Sequence, residues 1–186
     1  MNDNSLKNHF LIAMPGLCGG VFANSITYIC EHTEEGAMGI VINHPLELSL
    51  DEILEHLDLG EIHLKRNDRI LAGGPVQMDR GFVLHRRGIK EWQATMPVSD
   101  QIALTTSQDI LSDIAHNEGP EDSLVALGYA GWAAGQLESE IADNAWLTMP
   151  ADIDIIFKTP PEDRARVAAA KLGIDLALIS PQAGHA

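Results

Sequence analysis

The sequence predicts an α+β domain built on a mixed, mainly antiparallel sheet, and three observations carry that prediction. β-type runs cluster in neighbouring groups, with too few helices between them for the one-to-one alternation of a doubly wound fold. Capping signals mark only a few short helices. No repeat, linker or low-complexity stretch divides the 186 residues, so 1–186 is read as one domain with a polar N-terminal tail at 1–8. A chain of this length buries roughly two thirds of the surface that it would expose unfolded, enough for a stable core.

The elements follow in order. Phe10 to Ala13 is the first β-type run. From Ser25 to Glu31, Ile26, Tyr28 and Cys30 alternate with Thr27, Ile29 and Glu31, the pattern of a strand covered on both faces. Glu34-Glu35-Gly36 supplies a turn and Met38 to Asn43 returns as the second arm of an antiparallel hairpin, closed by Pro45. Ser49 and Glu52 have the capping-box spacing, which predicts a helix to about Leu57 with Leu50, Ile53, Leu54 and Leu57 on its buried stripe. Ile70-Leu71-Ala72 runs into a sharp Gly73-Gly74-Pro75 turn, and Gly81 to His85 reads as another strand. A β run at Ile102 to Leu104 leads to a helix near Gln108 to His116, ended by Gly119-Pro120. Leu124 to Tyr129 is the most apolar strand candidate. Gln136 to Asp143 is a short amphipathic helix with Leu137 and Ile141 inward, and Ala145 to Met149 and Ile153 to Phe157 are read as extended. Thr159-Pro160-Pro161-Glu162 starts a last helix, which runs to Leu172 and stops at Gly173.

Composition narrows the function classes. With 45% hydrophobic residues, no apolar run reaches the ~20 residues of a membrane-spanning helix. Phe10 to Ala23 is broken by Pro15 and glycines, and Cys18 lacks the small residue that lipidation requires before it; the segment is therefore read as strand and loop, neither signal peptide nor lipid anchor. Two cysteines, Cys18 and Cys30, suit a reducing compartment, and a cytoplasmic protein without membrane attachment is expected. The net charge is −15, and from Asp100 to Asp163 thirteen carboxylates face the single cation Lys158. That distribution opposes direct nucleic-acid binding, which rests on cation–phosphate contacts. The basic residues gather at Arg86, Arg87 and Lys90, with Lys65, Arg66 and Arg69 nearby in sequence.

The stretch Leu127 to Glu140 concentrates the chemistry: Tyr129 and Trp132, the glycines Gly128, Gly131 and Gly135, and the carboxylates Glu138 and Glu140, at a strand-to-helix junction. Tyr129, Gly131, Trp132, Gln136 and Glu140 are read as lining a groove for a ligand or partner, with Gly73, Gly74, Pro75 and His85 beside it. Gln136 and Glu140 share a helix face, whereas Glu138 and Glu140 lie about 200° apart and form no acid–base pair. Gly73-Gly74-Pro75 lacks the Lys and Ser or Thr of a phosphate loop and is read as a tight turn. Cys30 is a redox candidate if His32, placed by alternation on the same side, lowers its pKa. His32, His44 and His85 bind a metal only if they converge, so neither metal nor cofactor is expected. The rival to a binding protein is an enzyme centred on His85, His32, Tyr129 and Glu140.

Several blocks together resemble one family: Phe10 to Pro15, Glu31-His32, Gly36 to Asn43, Gly73 to Val76, Arg80 to His85, Leu127 to Glu140, Asn144 to Leu147 and Gly184-His185-Ala186. In this order, over nearly the whole chain, they are similar to the AlgH family, also called YqgE. The resemblance implies a bacterial cytoplasmic protein whose α+β fold rests on a bifurcated, barrel-like sheet. The family takes its name from a genetic link to transcriptional control of alginate synthesis, and it offers no agreed catalytic residue, cofactor or ligand to carry over. A non-enzymatic regulatory or binding protein, acting through a protein partner or small ligand, is therefore the expectation. Leu17 to Val21 and Ala165 depart from the family pattern.

Overall fold

A computed structural model describes residues 5–15 and 22–178. The expectations placed on Cys18, on Leu17 to Val21 and on the terminal Gly184-His185-Ala186 lie outside these residues. In chain order the elements are β1 (His9–Ala13), β2 (Ile26–Thr33), β3 (Gly36–Val41), β4 (Pro45–Ser49), α1 (Leu50–His56), β5 (Arg69–Ala72), β6 (Val76–Arg86) and β7 (Thr95–Pro97). They continue with β8 (Ile102–Thr105), α2 (Asp109–Ala115), β9 (Ser123–Ala133), α3 (Gln136–Ala142), β10 (Trp146–Pro150), α4 (Ile153–Phe157) and α5 (Arg164–Lys171).

The strands form one strongly curled half-barrel sheet in the order β10-β1-β2-β3-β9-β6-β8-β7, with β4 and β5 branching from β9. The pairings are antiparallel except that of β5 with β9. This is the mixed, mainly antiparallel α+β architecture that the clustering of strands predicts, and the bifurcation that the family resemblance implies.

Branching has a local cause. At Ala126 and Leu127, β9 pairs with β5 on one edge and β6 on the other, whereas from Ala130 to Ala133 its partner is β3. The link from β5 to β6, Gly73-Gly74-Pro75, therefore carries the chain from one edge of β9 to the other, directly across its backbone. A Cβ on Gly74 would lie 2.1 Å from the Tyr129 carbonyl carbon, and one on Gly128 would lie 2.4 Å from the Gly74 oxygen. Gly128 also sits at φ +77°, where side chains are strained. The crossing is pinned by Gly73 N–H donating to Leu127 O (2.8 Å) and Gly73 O accepting from Val41 N–H (2.9 Å). Gly73-Gly74-Pro75 is thus the tight turn expected, and its glycines answer to backbone contact.

Three apolar layers cover the sheet. Phe10, Tyr28, Ile40 and Phe82 pack against α4 and α5 through Ile155, Ile156 and Ala168. Leu54 of α1 and Ile110 of α2 meet Ile70, Val83 and Val125 in a second layer. In the third, Leu137 of α3 lies over Leu11, Ile29, Trp132 and Trp146.

Three local readings change. Ile153 to Phe157 is a helix, not an extended segment: Asp152 caps it, accepting the amides of Asp154 (2.9 Å) and Ile155 (3.4 Å), and its buried Ile155, Ile156 and Phe157 outweigh the β propensity of the run. α1 starts where the capping box puts it, but the Ser49 hydroxyl donates to Asp51 and Glu52 instead of accepting an amide, and Asn67 Oδ1 takes the Asp51 amide at 3.0 Å. In β2 the register shifts between Ile29 and Glu31. This bulge at Cys30 sends Cys30 into the layer with Tyr28, while His32 turns to the α3 side, so alternation no longer keeps the two together.

Candidate functional site

Each residue type nominated by sequence has a definite place. On β9, Tyr129 and Trp132 stand three residues apart and so face opposite sides of the strand. Tyr129 is half-buried against Phe82, ring centroids 5.5 Å apart, at the margin of the first layer. Trp132 is buried in the third, 6.1 Å from the ring of Trp146. Gly131 between them is exposed.

Around Glu140 the polar groups close into one cluster. One carboxylate oxygen accepts both indole N–H groups, Trp132 Nε1 and Trp146 Nε1, each at 3.0 Å; the other accepts Gln136 Nε2 at 3.0 Å. Gln136 in turn accepts the Ala133 amide through Oε1 (2.9 Å), where β9 hands over to α3. The i to i+4 relation of Gln136 and Glu140 makes the bridge geometrically available. A carboxylate so occupied ties β9, α3 and β10 together. Glu138, around the helix from Glu140, pairs instead with His32 Nε2, and that hydrogen bond holds its carboxyl below the usual range. His32 Nδ1 accepts the Leu6 amide at 2.8 Å, which fixes the tautomer and docks residues 5–8 along β2.

The buried His85 belongs to a different region. Its Nδ1 faces Arg86 O (3.1 Å), so Nδ1 carries the proton and Nε2 accepts from the Thr105 hydroxyl (2.7 Å). Thr105 Oγ1 then accepts from Thr95 (2.8 Å), whose oxygen accepts the Trp92 amide (2.9 Å). Every donor finds an acceptor with a neutral ring, and burial lowers the His85 pKa. Since His85 pairs with Ser123 and Val76 with Tyr129, His85 and Tyr129 are separated by roughly 20 Å along β9. Of the enzyme constellation, His85 lies far from Tyr129, whereas His32 and Glu140 both stand against α3, His32 through Glu138 and Glu140 as a residue of the helix itself. His32, His44 and His85 do not meet, and among the described residues no group of three His, Cys, Asp or Glu side chains is placed to hold a metal. The Cys30 thiol is fully buried, and burial pushes its pKa up, opposite to an activated thiolate.

Beside these saturated groups, the described residues enclose two sizeable concavities. One, about 920 Å³, lies between α1, β6 and the β8–α2 link; Ile53, Leu57, Val83, Leu111 and Leu127 form an apolar floor, and Gln77, Arg80 and Gln108 stand on its rim. Thr105, held by His85, forms part of its wall. The other, about 830 Å³, lies between the loop before β5 and the segment Phe157–Glu162, and collects Lys65, Arg66, Arg69, Lys158 and the buried Arg164. Of the basic residues that the sequence brings together, Lys65, Arg66 and Arg69 line this concavity, Arg86 touches its lining residue Asp122 from outside, and Arg87 and Lys90 are not among its lining residues. Arg86 pairs with Asp122 (2.9 Å), and Lys90 pairs with Asp113. Arg164 was not nominated. Its only sequence signal is a cation in the first turn of a helix, where the dipole disfavours one.

This fold and these sites define a class: a single-domain α+β half-barrel whose prominent polar groups tie its layers together and whose concave surfaces are open. The AlgH-like family profile matches residues 10–177, and the chain belongs to that family. It is 58% identical over 184 residues to a UPF0301 protein of Thioalkalivibrio sulfidiphilus, covering 99% of this chain and 98% of that one. With the UPF0301 protein AlgH of Pseudomonas aeruginosa it shares 54% identity over 183 residues, 97% and 96% of the two chains. The solution structure of AlgH from Pseudomonas aeruginosa superposes with a TM-score of 0.80 at 53% identity, covering 100% of this chain and 98% of that one. A crystal structure from Corynebacterium diphtheriae shares the fold at 18% identity, with a TM-score of 0.77 over 97% and 94% of the chains. Among the described residues no helix is long and apolar enough to cross a membrane.

Proposed function

We propose that this chain is a non-enzymatic regulatory or binding protein of the bacterial cytoplasm, acting on transcription through a small ligand or protein partner. The observation that carries the reading is the bowl between α1 and β6: an apolar floor with a sparse polar rim, about 920 Å³, inside the ~300–1,000 Å³ range of small-molecule sites. The residues nominated from sequence support this surface from behind. His85 orients Thr105 in the bowl wall, and the Gly73-Gly74-Pro75 crossing fixes β6 against β9 at its edge. The segment Tyr129 to Gln136 serves as a second, partner-facing surface: Gly131 and Gln136 are exposed over a base stiffened by Trp132 and Glu140. The net charge of −15 keeps nucleic acid out of the direct role.

Affinity capture from native cell extract, with small-molecule and protein mass spectrometry on one eluate, tests the reading. Wild type retains a species that Leu57→Trp, which fills the bowl, does not. Identical profiles for both chains refute the bowl as the site. Turnover in a broad substrate screen that disappears in His85→Ala refutes the non-enzymatic reading.

A further inference from the structure

A buried guanidinium without a carboxylate partner is an unusual thing for a fold to keep, because the charge loses its hydration and only a counter-ion or strong acceptors restore it. Arg164 is such a group, at 4% exposure. Its Nε donates to Thr159 O (3.0 Å) and its Nη1 to Ile42 O, while among the described residues no carboxylate comes within ion-pair distance. Two of the five guanidinium N–H groups are used and three are left. Arg164 lines the 830 Å³ concavity, a volume far beyond what one or two waters need.

The surroundings match. Five of the chain's twelve lysines and arginines line this one concavity, in a protein whose net charge is −15. Its acids are largely committed: Asp68 to Arg66 (3.2 Å) and Asp122 to Arg86 (2.9 Å) and Lys158 (3.4 Å). Arg69 is turned to Glu47 (2.8 Å). Lys65 has no ion-pair partner among the described residues and stands exposed; Glu121 approaches Arg86 (3.9 Å), and Glu162, like Asp68, lies near enough to Arg164 to act on its charge without bonding it. The result is a strong, desolvated cation at the base and balanced charge around it.

We propose that this concavity is a binding site for a small oxyanionic metabolite, whose carboxylate or phosphate group seats on the free edge of the Arg164 guanidinium. The planar fork of arginine suits either oxyanion in a two-bond arrangement, and its weak hydration makes it the cation of choice away from water. Lys65 and Lys158 steer the ligand from the rim. The acidic surface repels long polyanions, so the site selects a compact anion over a nucleic-acid backbone. The proposal does not depend on the bowl between α1 and β6, and it stands or falls separately.

The test is a titration of isotopically labelled full-length protein with pyrophosphate and, separately, with citrate, read at the Arg164 Nε–H resonance. A saturable shift there supports the site, and the stronger probe identifies phosphate or carboxylate chemistry. Affinity falls at least tenfold in Arg164→Lys, and about two- to fivefold in Lys65→Gln, whose exposed side chain leaves folding intact. The absence of saturation with either probe up to ~10 mM overturns the proposal, as does wild-type affinity in a folded Arg164→Lys chain. If Arg164→Lys fails to fold, undiminished affinity in Lys65→Gln combined with Lys158→Gln overturns it instead.

Discussion

Replacing Glu140 by alanine removes the acceptor for two indole N–H groups at once, and the cost follows from their burial. Trp132 and Trp146 are 6% and 5% exposed, and the bonds from Trp132, Trp146 and Gln136 are each 3.0 Å long. An orphaned buried donor costs about 1–3 kcal/mol. Glu140 is itself half-buried, so water re-enters part of the space, and the lower half of that range applies to each indole. The expected loss is about 2–3 kcal/mol, which for a domain of this size lowers the melting midpoint by about 5–10 °C. Glu140→Gln keeps one carbonyl oxygen for both indoles but forces Gln136 to turn its amide, for a loss of about 1 kcal/mol. Urea unfolding followed by tryptophan fluorescence measures both, since these are two of the three tryptophans. If alanine and glutamine variants are equally stable and within ~0.5 kcal/mol of wild type, the indole–carboxylate cluster does not hold β9, α3 and β10 together.

Two further outcomes are expected. Gly74→Ala places a methyl group 2.1 Å from the Tyr129 carbonyl carbon and abolishes folding or costs more than about 4 kcal/mol, whereas Gly81→Ala, with no atom within 4 Å, stays within ~0.5 kcal/mol; circular-dichroism melts decide it. Acidification destabilises the fold through His85: burial lowers its folded pKa, so below the unfolded value of about 6.5 the unfolded chain binds more protons and stability falls with falling pH, by up to about 1.4 kcal/mol per pH unit until the folded pKa is passed. His44, also lowered by burial, adds in the same direction, and His85→Asn flattens the dependence measured between pH 6.5 and 5 without removing the contribution of His44.

What the sequence makes legible is what lies close along the chain. The hairpin of β2 and β3, the stripe of α1, the inward Leu137 and Ile141 of α3, and the Gln136–Glu140 bridge all depend on neighbours within a few residues. The bulge at Cys30 escapes because only the pairing with β3 reveals the inserted residue. Helix α4 escapes because its β-branched run reads as strand until Asp152 is seen to cap it. The site residues divide the same way. Glu140 and Gln136 are visible as a pair, but the indole of Trp146, which completes their cluster, comes from another strand. Arg164 is illegible for a stronger reason: its acceptor Ile42 O is 122 positions away, and no local pattern records that separation.

The pairing of Leu11 with Thr148 carries a consequence for synthesis. β1 lies inside the sheet, flanked by β2 on one side and β10 on the other, yet β10 leaves the ribosome only after most of the chain. At ~5–20 residues per second the wait is on the order of ten seconds, during which one edge of β1 offers unmatched main-chain groups to any passing strand. The nascent protein is therefore exposed to misassociation along this seam at Phe10 to Ala13 until β10 arrives.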